Sequence, residues 1–181
     1  HLLGVHNKQD VIFAYRAAKT FGVSDKDCEK GVENFSGIEH RMEKVGTFKS
    51  VTFYNDCIAT IPHAVECAVE ALKNVDTLIF GGKDRGIDYS EFCDYLEKCS
   101  VENLIGTPET GHKIIDMLSK DACPKRLVKA VDLEEAVKEA YKLTAEGKIC
   151  LLSPAASSYN VYKNFEEKGR HYKELVKRYG E

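Results

Sequence analysis

Residues 50–65 read SVTFYNDCIATIPHAV. Val51, Thr52, Phe53 and Tyr54 are β-formers; Asn55 and Asp56 end the run, and Thr60 and Pro62 lead into an apolar pattern with helical spacing. A strand that hands over to a helix is the unit of an open α/β sheet, and a carboxylate at its end is placed where ligands bind. Ligands there meet the carboxyl ends of the strands and the amino end of the following helix. Asp56 and Thr60 are therefore candidates for ligand contacts at that end of the sheet.

Outward from this stretch, β-rich runs at 42–48, 51–55, 76–81, 101–106, 127–131 and 148–152 alternate with helical patterns near 61–74, 88–98, 109–120, 132–145 and 160–178. The alternation predicts βαβ units and an α/β fold with a Rossmann-like, mainly parallel sheet flanked by helices. The first two runs pair as a hairpin across FKSV. Upstream, Lys8 to Gly22 places Val11, Ile12, Ala14, Tyr15, Ala18 and Phe21 near a 3.6-residue period and stops at a glycine. Ser24 then N-caps a second helix over SDKDCEKGVENF, with an acidic first turn and Gly37 beyond its end. These helices read as the tail of a preceding unit, and the absence of an initiator Met before HLLGVHN reads as a fragment of something longer.

The chain has 181 residues, of which 43% are hydrophobic and 30% charged, enough for one ordinary core with an appended piece. A net charge of -3 argues against nucleic acid as a partner, because that requires a basic stripe able to displace counterions from phosphates. The basic residues from Lys163 to Lys177 alternate with Glu166, Glu167 and Glu174 and read as a solvated helix face. Seven cysteines without a CxxC pair fit neither zinc ligation nor a disulfide framework, which suits a reducing cytoplasm. Cys67, Cys93 and Cys150 sit in apolar patterns and are expected to be buried. No apolar run has transmembrane length, so no membrane partner is expected, and the chain is read as a monomer.

Several short segments can carry chemistry. After DTLIFGG comes Lys83-Asp84-Arg85-Gly86-Ile87-Asp88, where paired glycines let the backbone approach a ligand and cations follow. An ordinary charged surface turn accounts for the same residues. The last strand ends in Ser153-Pro154 and a run of small residues to Ser158, which allows close approach to a carboxylate; N-capping of the final helix by Ser158 or Asn160 is the plainer reading. Phe165 is expected to face the core. His6, Asn7 and Asp10 at the start of the first helix are either caps or nucleotide contacts, and Arg41 is either a phosphate clamp or a surface cation. The histidines show no metal-binding spacing, so no metal site is expected, and neither GxxxxGK[ST] nor GxGxxG occurs.

Taken in order, GVHN, FSGIEHRMEKVG, FYNDCIATIPHAV, FGGKDRGIDYSEF and LLSPAASSYNVYKNFEEKGRHYKELV resemble the carboxyl-terminal part of the Mur ligases, in particular their glutamate-adding members. The likeness covers nearly the whole chain. It implies that residues 1–37 are the tail of a central ATPase domain and 38–181 the domain that brings the amino acid. It also implies ATP and Mg²⁺ as cofactors of the full-length enzyme, and glutamate and UDP-N-acetylmuramoyl-L-alanine as its substrates. The P-loop and metal ligands would lie upstream, leaving this chain inactive alone. Carried over by position, Asn7 and Asp10 contact the adenine nucleotide, while Arg41 and Asp56 stand near ribose and phosphates and are the catalytic pair. Thr60, Arg85, Ser158, the backbone of Tyr159 and the ring of Phe165 form the glutamate pocket.

The chain departs from the family pattern DSKATN, reading Asp56-Cys57-Ile58-Ala59-Thr60-Ile61 instead. Ile58 replaces a lysine, Ile61 an asparagine, Arg85 stands where a lysine is common and Asp10 where an asparagine is. These changes bear on the identity or handedness of the amino acid more than on the reaction class. The other readings are a free-standing module that binds a nucleotide or acidic metabolite, and a related ligase acting on another amino acid or outside peptidoglycan.

Overall fold

In the computed structural model, which describes residues 4–120 and 123–181, Glu43–Phe48 (β1) and Val51–Asn55 (β2) pair antiparallel. Between them Lys49 and Ser50 have φ of 47° and 63°. Left-handed conformation at both turn residues gives the twist that a two-residue hairpin needs, so the FKSV hairpin is observed as expected.

The remaining strands are Val75–Phe80 (β3), Asn103–Gly106 (β4), Arg126–Lys129 (β5) and Ile149–Leu152 (β6). The sheet order is β1-β2-β6-β3-β4-β5, parallel everywhere except at the β1–β2 hairpin. The sheet strands are connected and covered by helices Pro62–Leu72 (α3), Ser90–Lys98 (α4), Thr110–Lys120 (α5), Leu133–Leu143 (α6) and Phe165–Gly180 (α7), after Val5–Thr20 (α1) and Asp25–Asn34 (α2). Alternation along the strands sends Leu78, Phe80, Leu104 and Leu151 to one face, where they pack with Val65 and Leu72 of α3, Phe92 and Leu96 of α4, and Ile114 and Leu118 of α5. Ile79, Ile105, Cys150 and Leu152 face the other way, against Val137 of α6 and Tyr172 and Leu175 of α7. Runs apolar on both faces are what a parallel sheet covered by helices on each side produces.

The connections define where the sheet can bind. From β2 the chain leaves into α3 on one face, and from β3 into α4 on that same face. From β6, which lies between them, it leaves into α7 on the other. Adjacent strands whose connections part to opposite faces open a crevice at their carboxyl ends. Asp56, Ser153 and Gly81 are the first residues beyond those ends.

The structure corrects three expectations. The final helix begins at Phe165, and its N-cap is Asn164, whose side chain accepts from the Glu167 N–H; neither Ser158 nor Asn160 caps it. Residues 153–158 are instead buried as the chain turns off β6. Cys93 and Cys150 are buried, but Cys67 is half-exposed on α3 with its sulfur 3.7 Å from His63 Nε2. The basic run along α7 is not solvated throughout: Lys168 is 3% exposed, because the inward stripe of Phe165, Tyr172, Leu175 and Val176 passes through its position.

α1 and α2 stand apart from this core. Ser24 caps α2 as its sequence predicts, accepting from Asp27 N–H, yet no residue of α2 is buried. Phe13 and Phe21 of this segment are 68% and 87% exposed. No helix among the described residues is long and apolar enough to cross a membrane.

Candidate functional site

Asp56 is held at the switch point by its backbone and its carboxylate together. Its N–H donates to Leu152 O at 2.8 Å, tying the end of β2 to β6. Oδ2 accepts from Ser153 Oγ at 2.8 Å, while Oδ1 accepts from Met42 N–H at 3.2 Å and Arg41 Nη1 at 3.4 Å. The carboxyl group is fully buried, and burial pushes its pKa up, outweighing the opposing effects of Ser153, Arg41 and Met42.

Arg41 reaches Asp56 because the linker before β1 turns sharply: His40 and Met42 both have positive φ, 64° and 44°. His40 anchors that turn from inside. Its Nδ1 lies 2.9 Å from Asn55 Nδ2, whose second hydrogen reaches Glu43 Oε2 at 3.1 Å, while Asn55 Oδ1 accepts from Cys57 N–H. Asn55 therefore presents its amide donors to His40, which makes Nδ1 the acceptor and puts the ring proton on Nε2.

In front of Arg41 lies an open cavity of about 1140 Å³ between the α1–α2 pair and the start of β1. Asn7, Asp10 and Arg41 all line it, with Met42 and Tyr54, so the structure brings three of the four residues expected at a nucleotide into one space. Asp56 stands behind Arg41 and is not part of the lining. The side chain of His6 lies outside the described residues. Glu39, His40 and Glu43 offer a possible set of metal-ligand atoms, but Lys173 Nζ already stands 2.7 Å from Glu39 and 2.9 Å from Glu43. Its ammonium fills the place a cation would take.

On the other side of β6, the paired glycines after β3 meet the small-residue run. Gly82 has φ 157°, and a Cβ there would overlap the Ser157 carbonyl oxygen; at Gly81, φ 120°, it would overlap that of Thr107. Only glycine allows these approaches. Lys83 N–H then donates to Ser157 O at 2.8 Å, forming a short antiparallel bridge. Arg85 is thereby carried on an exposed loop beside the segment holding Ser158. The hydroxyls of Ser157 and Ser158 are buried and lack a hydrogen-bond partner among the described residues, a state that costs free energy unless something supplies one.

The remaining expected residues occupy different surroundings. Thr60 is half-buried just ahead of α3, whose N-cap, Ile61, makes no side-chain bond to the helix. The Tyr159 side chain is 65% exposed. Phe165 is half-buried, packed against the edge of the core, and its ring is T-shaped with His40 at a centroid distance of 5.9 Å.

Lys168 is the residue that the sequence reading missed. Its Nζ donates to Gly81 O at 2.8 Å, so a buried cation pins the glycine turn to α7, and burial lowers its pKa. The available signal was position: Lys168 is three residues past Phe165 and four before Tyr172, on the inward face. With a folded pKa below the unfolded value near 10.5, the folded protein binds fewer protons between those two values, so stability rises as pH climbs through that window. Lys168→Met is expected to remove this rise, seen by comparing melting temperatures from pH 7 to 10.5; identical pH slopes for the two proteins would contradict a lowered pKa at Lys168.

Residues 40–156 match the sequence profile of the Mur ligase, glutamate ligase domain. The chain is 38% identical over 176 residues to the UDP-N-acetylmuramoylalanine–D-glutamate ligase of Oenococcus oeni, covering 97% of this chain and 40% of that protein. It is 35% identical over 178 residues to the Desulfitobacterium hafniense protein of the same name, covering 98% and 39%. The chain thus spans about 39% of the length of such relatives. Among solved structures, Mycobacterium tuberculosis folylpolyglutamate synthase complexed with ADP superimposes with a TM-score of 0.69 at 15% identity, over 96% of this chain and 41% of that one. UDP-N-acetylmuramate-alanine ligase from Thermotoga maritima gives 0.68 at 18%, over 98% and 38%. These two likenesses concern the fold.

Proposed function

The chain belongs to the Mur ligase family, and from that premise we propose that it is the carboxyl-terminal part of an ATP-dependent ligase that joins D-glutamate to UDP-N-acetylmuramoyl-L-alanine in peptidoglycan precursor synthesis, in the cytoplasm. In this reading residues 1–37 end a central ATPase domain and residues 38–181 form the domain that delivers the amino acid. The observation that carries it is the convergence of two subsites on one switch point. One is the cavity that Asn7, Asp10 and Arg41 line among apolar residues; the other is the glycine turn after β3, bridged through Lys83 to Ser157, which carries Arg85.

The chemistry is acyl activation: the carboxylate of the UDP-sugar peptide takes the γ-phosphoryl group of ATP, and the glutamate amine displaces phosphate from the acyl phosphate. Mg²⁺, when bound, neutralises phosphate charge. Of the carboxylates at or beside the cavity, Asp56 is engaged by Ser153, Arg41 and Met42, Glu39 and Glu43 by Lys173, and Asp27 by Ser24, while Asp10 is given to the nucleoside, so the ion's ligands are assigned to the rest of the protein. Arg41 presents positive charge to the phosphates and Asp56 holds it in place. Asn7 and Asp10 face the nucleoside. Thr60, Arg85, Ser158, the backbone of Tyr159 and the ring of Phe165 hold glutamate so that its amine points at the acyl carbon. Alignment of this kind lowers the barrier by fixing a near-attack geometry, and enclosure keeps water from the acyl phosphate.

The test uses the full-length protein with UDP-N-acetylmuramoyl-L-alanine, ATP and Mg²⁺, comparing D- and L-glutamate. Product with D-glutamate is expected. Product only with L-glutamate would overturn the stereochemical assignment, and no product with either would overturn the substrate. Arg85→Ala is expected to raise the glutamate KM about 10- to 100-fold, the scale of one lost charge-assisted contact, while the KM for ATP stays within about twofold. Equal effects on both substrates would remove Arg85 from the glutamate pocket.

A further inference from the structure

The loop that carries Arg85 is organised by residues with no role in the reading above. Asp84 Oδ1 accepts the Gly86 N–H at 2.9 Å, a turn closed directly across Arg85. Asp84 Oδ2 accepts from Lys113 Nζ at 3.1 Å, and the Asp84 N–H donates to Glu109 Oε2 at 3.2 Å. Glu109 and Thr110 in turn both donate their N–H groups to Gly82 O at 3.0 Å. The start of α5 and the residue before it thus grip the loop at its root and at its tip. Lys113 lies 5.9 Å from the centre of the buried Tyr89 ring, whose hydroxyl donates to Ala155 O, so the clamp is framed by the same segment that leaves β6.

The charges explain what the clamp does. Arg85 is flanked by an acid at Asp84 and makes no ion pair among the described residues. A free carboxylate beside an exposed arginine competes for its charge, weakly because the pair is solvated. Here Asp84 is occupied by the Gly86 N–H and Lys113, and those contacts hold its pKa below the usual carboxylate value. The guanidinium is left unneutralised at the mouth of the turn.

We infer that Asp84, clamped by Lys113, is a positioning residue for Arg85: it shapes the turn beneath the arginine and, by being paired elsewhere, leaves its charge free for the carboxylate of the incoming amino acid. This rests on the glutamate-binding reading of Arg85. The sequence alone offers an acid between two cations, without showing that its partner is Lys113, far along the chain.

The test compares Asp84→Ala, Asp84→Asn, Lys113→Met, Arg85→Ala and the double variant Asp84→Ala/Arg85→Ala in the full-length protein, reading KM for glutamate and ATP and kcat. Asp84→Ala is expected to raise the glutamate KM roughly fivefold to tenfold, less than loss of the arginine itself, with the ATP KM and kcat little changed. Asp84→Asn, which keeps an acceptor for Gly86, is expected to recover part of that loss, and Lys113→Met to share it. On the Arg85→Ala background Asp84→Ala is expected to add nothing, since residues acting through one another are not additive. An equal rise on both backgrounds, or no rise in Asp84→Ala, would overturn the inference while leaving the role of Arg85 intact. If Arg85→Ala itself leaves the glutamate KM unchanged, the pocket assignment fails and the inference with it.

Discussion

Asp56→Asn is expected to cut turnover of the full-length protein about 100-fold or more, a typical cost for losing one preorganised electrostatic contact, while the melting temperature at pH 7 stays level or rises. The two readouts separate because the carboxylate is unfavourable to the fold and useful to the site. Burial raises its pKa despite the Ser153 hydroxyl, Arg41 and the Met42 N–H. Between the unfolded value near 3.8 and the raised folded value, the folded protein binds more protons than the unfolded chain, so stability falls as pH rises through that window. An asparagine carries no such charge and keeps one carbonyl oxygen to accept from Ser153 or Met42. It offers the Arg41 guanidinium no negative charge, and the phosphate-facing cation is held less firmly. The checks are kcat with saturating substrates and thermal melts from pH 4 to 8. A variant that melts lower at pH 7 would show that the carboxylate supports the fold, and one with near-normal turnover would end its catalytic assignment.

Gly169→Ala is the second large effect, and its sign runs against helix propensity. Inside an exposed helix, glycine to alanine gains about 0.5–1 kcal/mol. Gly169 lies in the second turn of α7 against β1 and β2, and a Cβ there would overlap His40 Nδ1 and come within 3.0 Å of Asn55 Nδ2. Neither can withdraw easily, since both are buried and hydrogen-bonded to one another. Overpacking of that kind typically costs about 1–3 kcal/mol, which in a protein of this size lowers the melting temperature by roughly 2–10 °C. Turnover is expected to fall as well, because His40 sets the turn that aims Arg41. Gly31→Ala is the matched control: Gly31 is an exposed position of α2 with nothing within 4 Å of its added Cβ, and it should stabilise slightly. If both variants shift the melt in the same direction, the close contact between α7 and His40 is not a constraint.

The sheet was readable because its signals are local. Val51–Tyr54 ending at Asp56, and apolar runs recurring between helical patterns, require only pleat, period and punctuation to be recognised. The FKSV hairpin followed from the same cues. Misplaced or missed features were those where neighbours distant in sequence decide. Phe165 packs inward against the core as its spacing predicts, but its contact with His40, more than a hundred residues away in the chain, was not legible. Ser158 and Asn160 are good capping types, but burial of residues 153–158 delays α7 until Asn164. Lys168 looked solvated because its sequence neighbours are charged; its spatial neighbour is the Gly81 carbonyl.

The sequence by itself determined the alternating α/β plan, the strand ends where polar residues gather, and, through its ordered motifs, the family. Those are properties of short segments, whose side-chain period and conformational preference need no partner to be expressed. Only the tertiary structure decided that β6 enters between β2 and β3, which places Asp56, Ser153 and Gly81 side by side. It also decided which charges stay free: Lys113 occupies Asp84 and Lys173 occupies Glu39 and Glu43, while Arg85 is left without an ion pair among the described residues. Pairing between charges depends on distances of a few ångströms across segments far apart in the chain, and no local pattern encodes those distances.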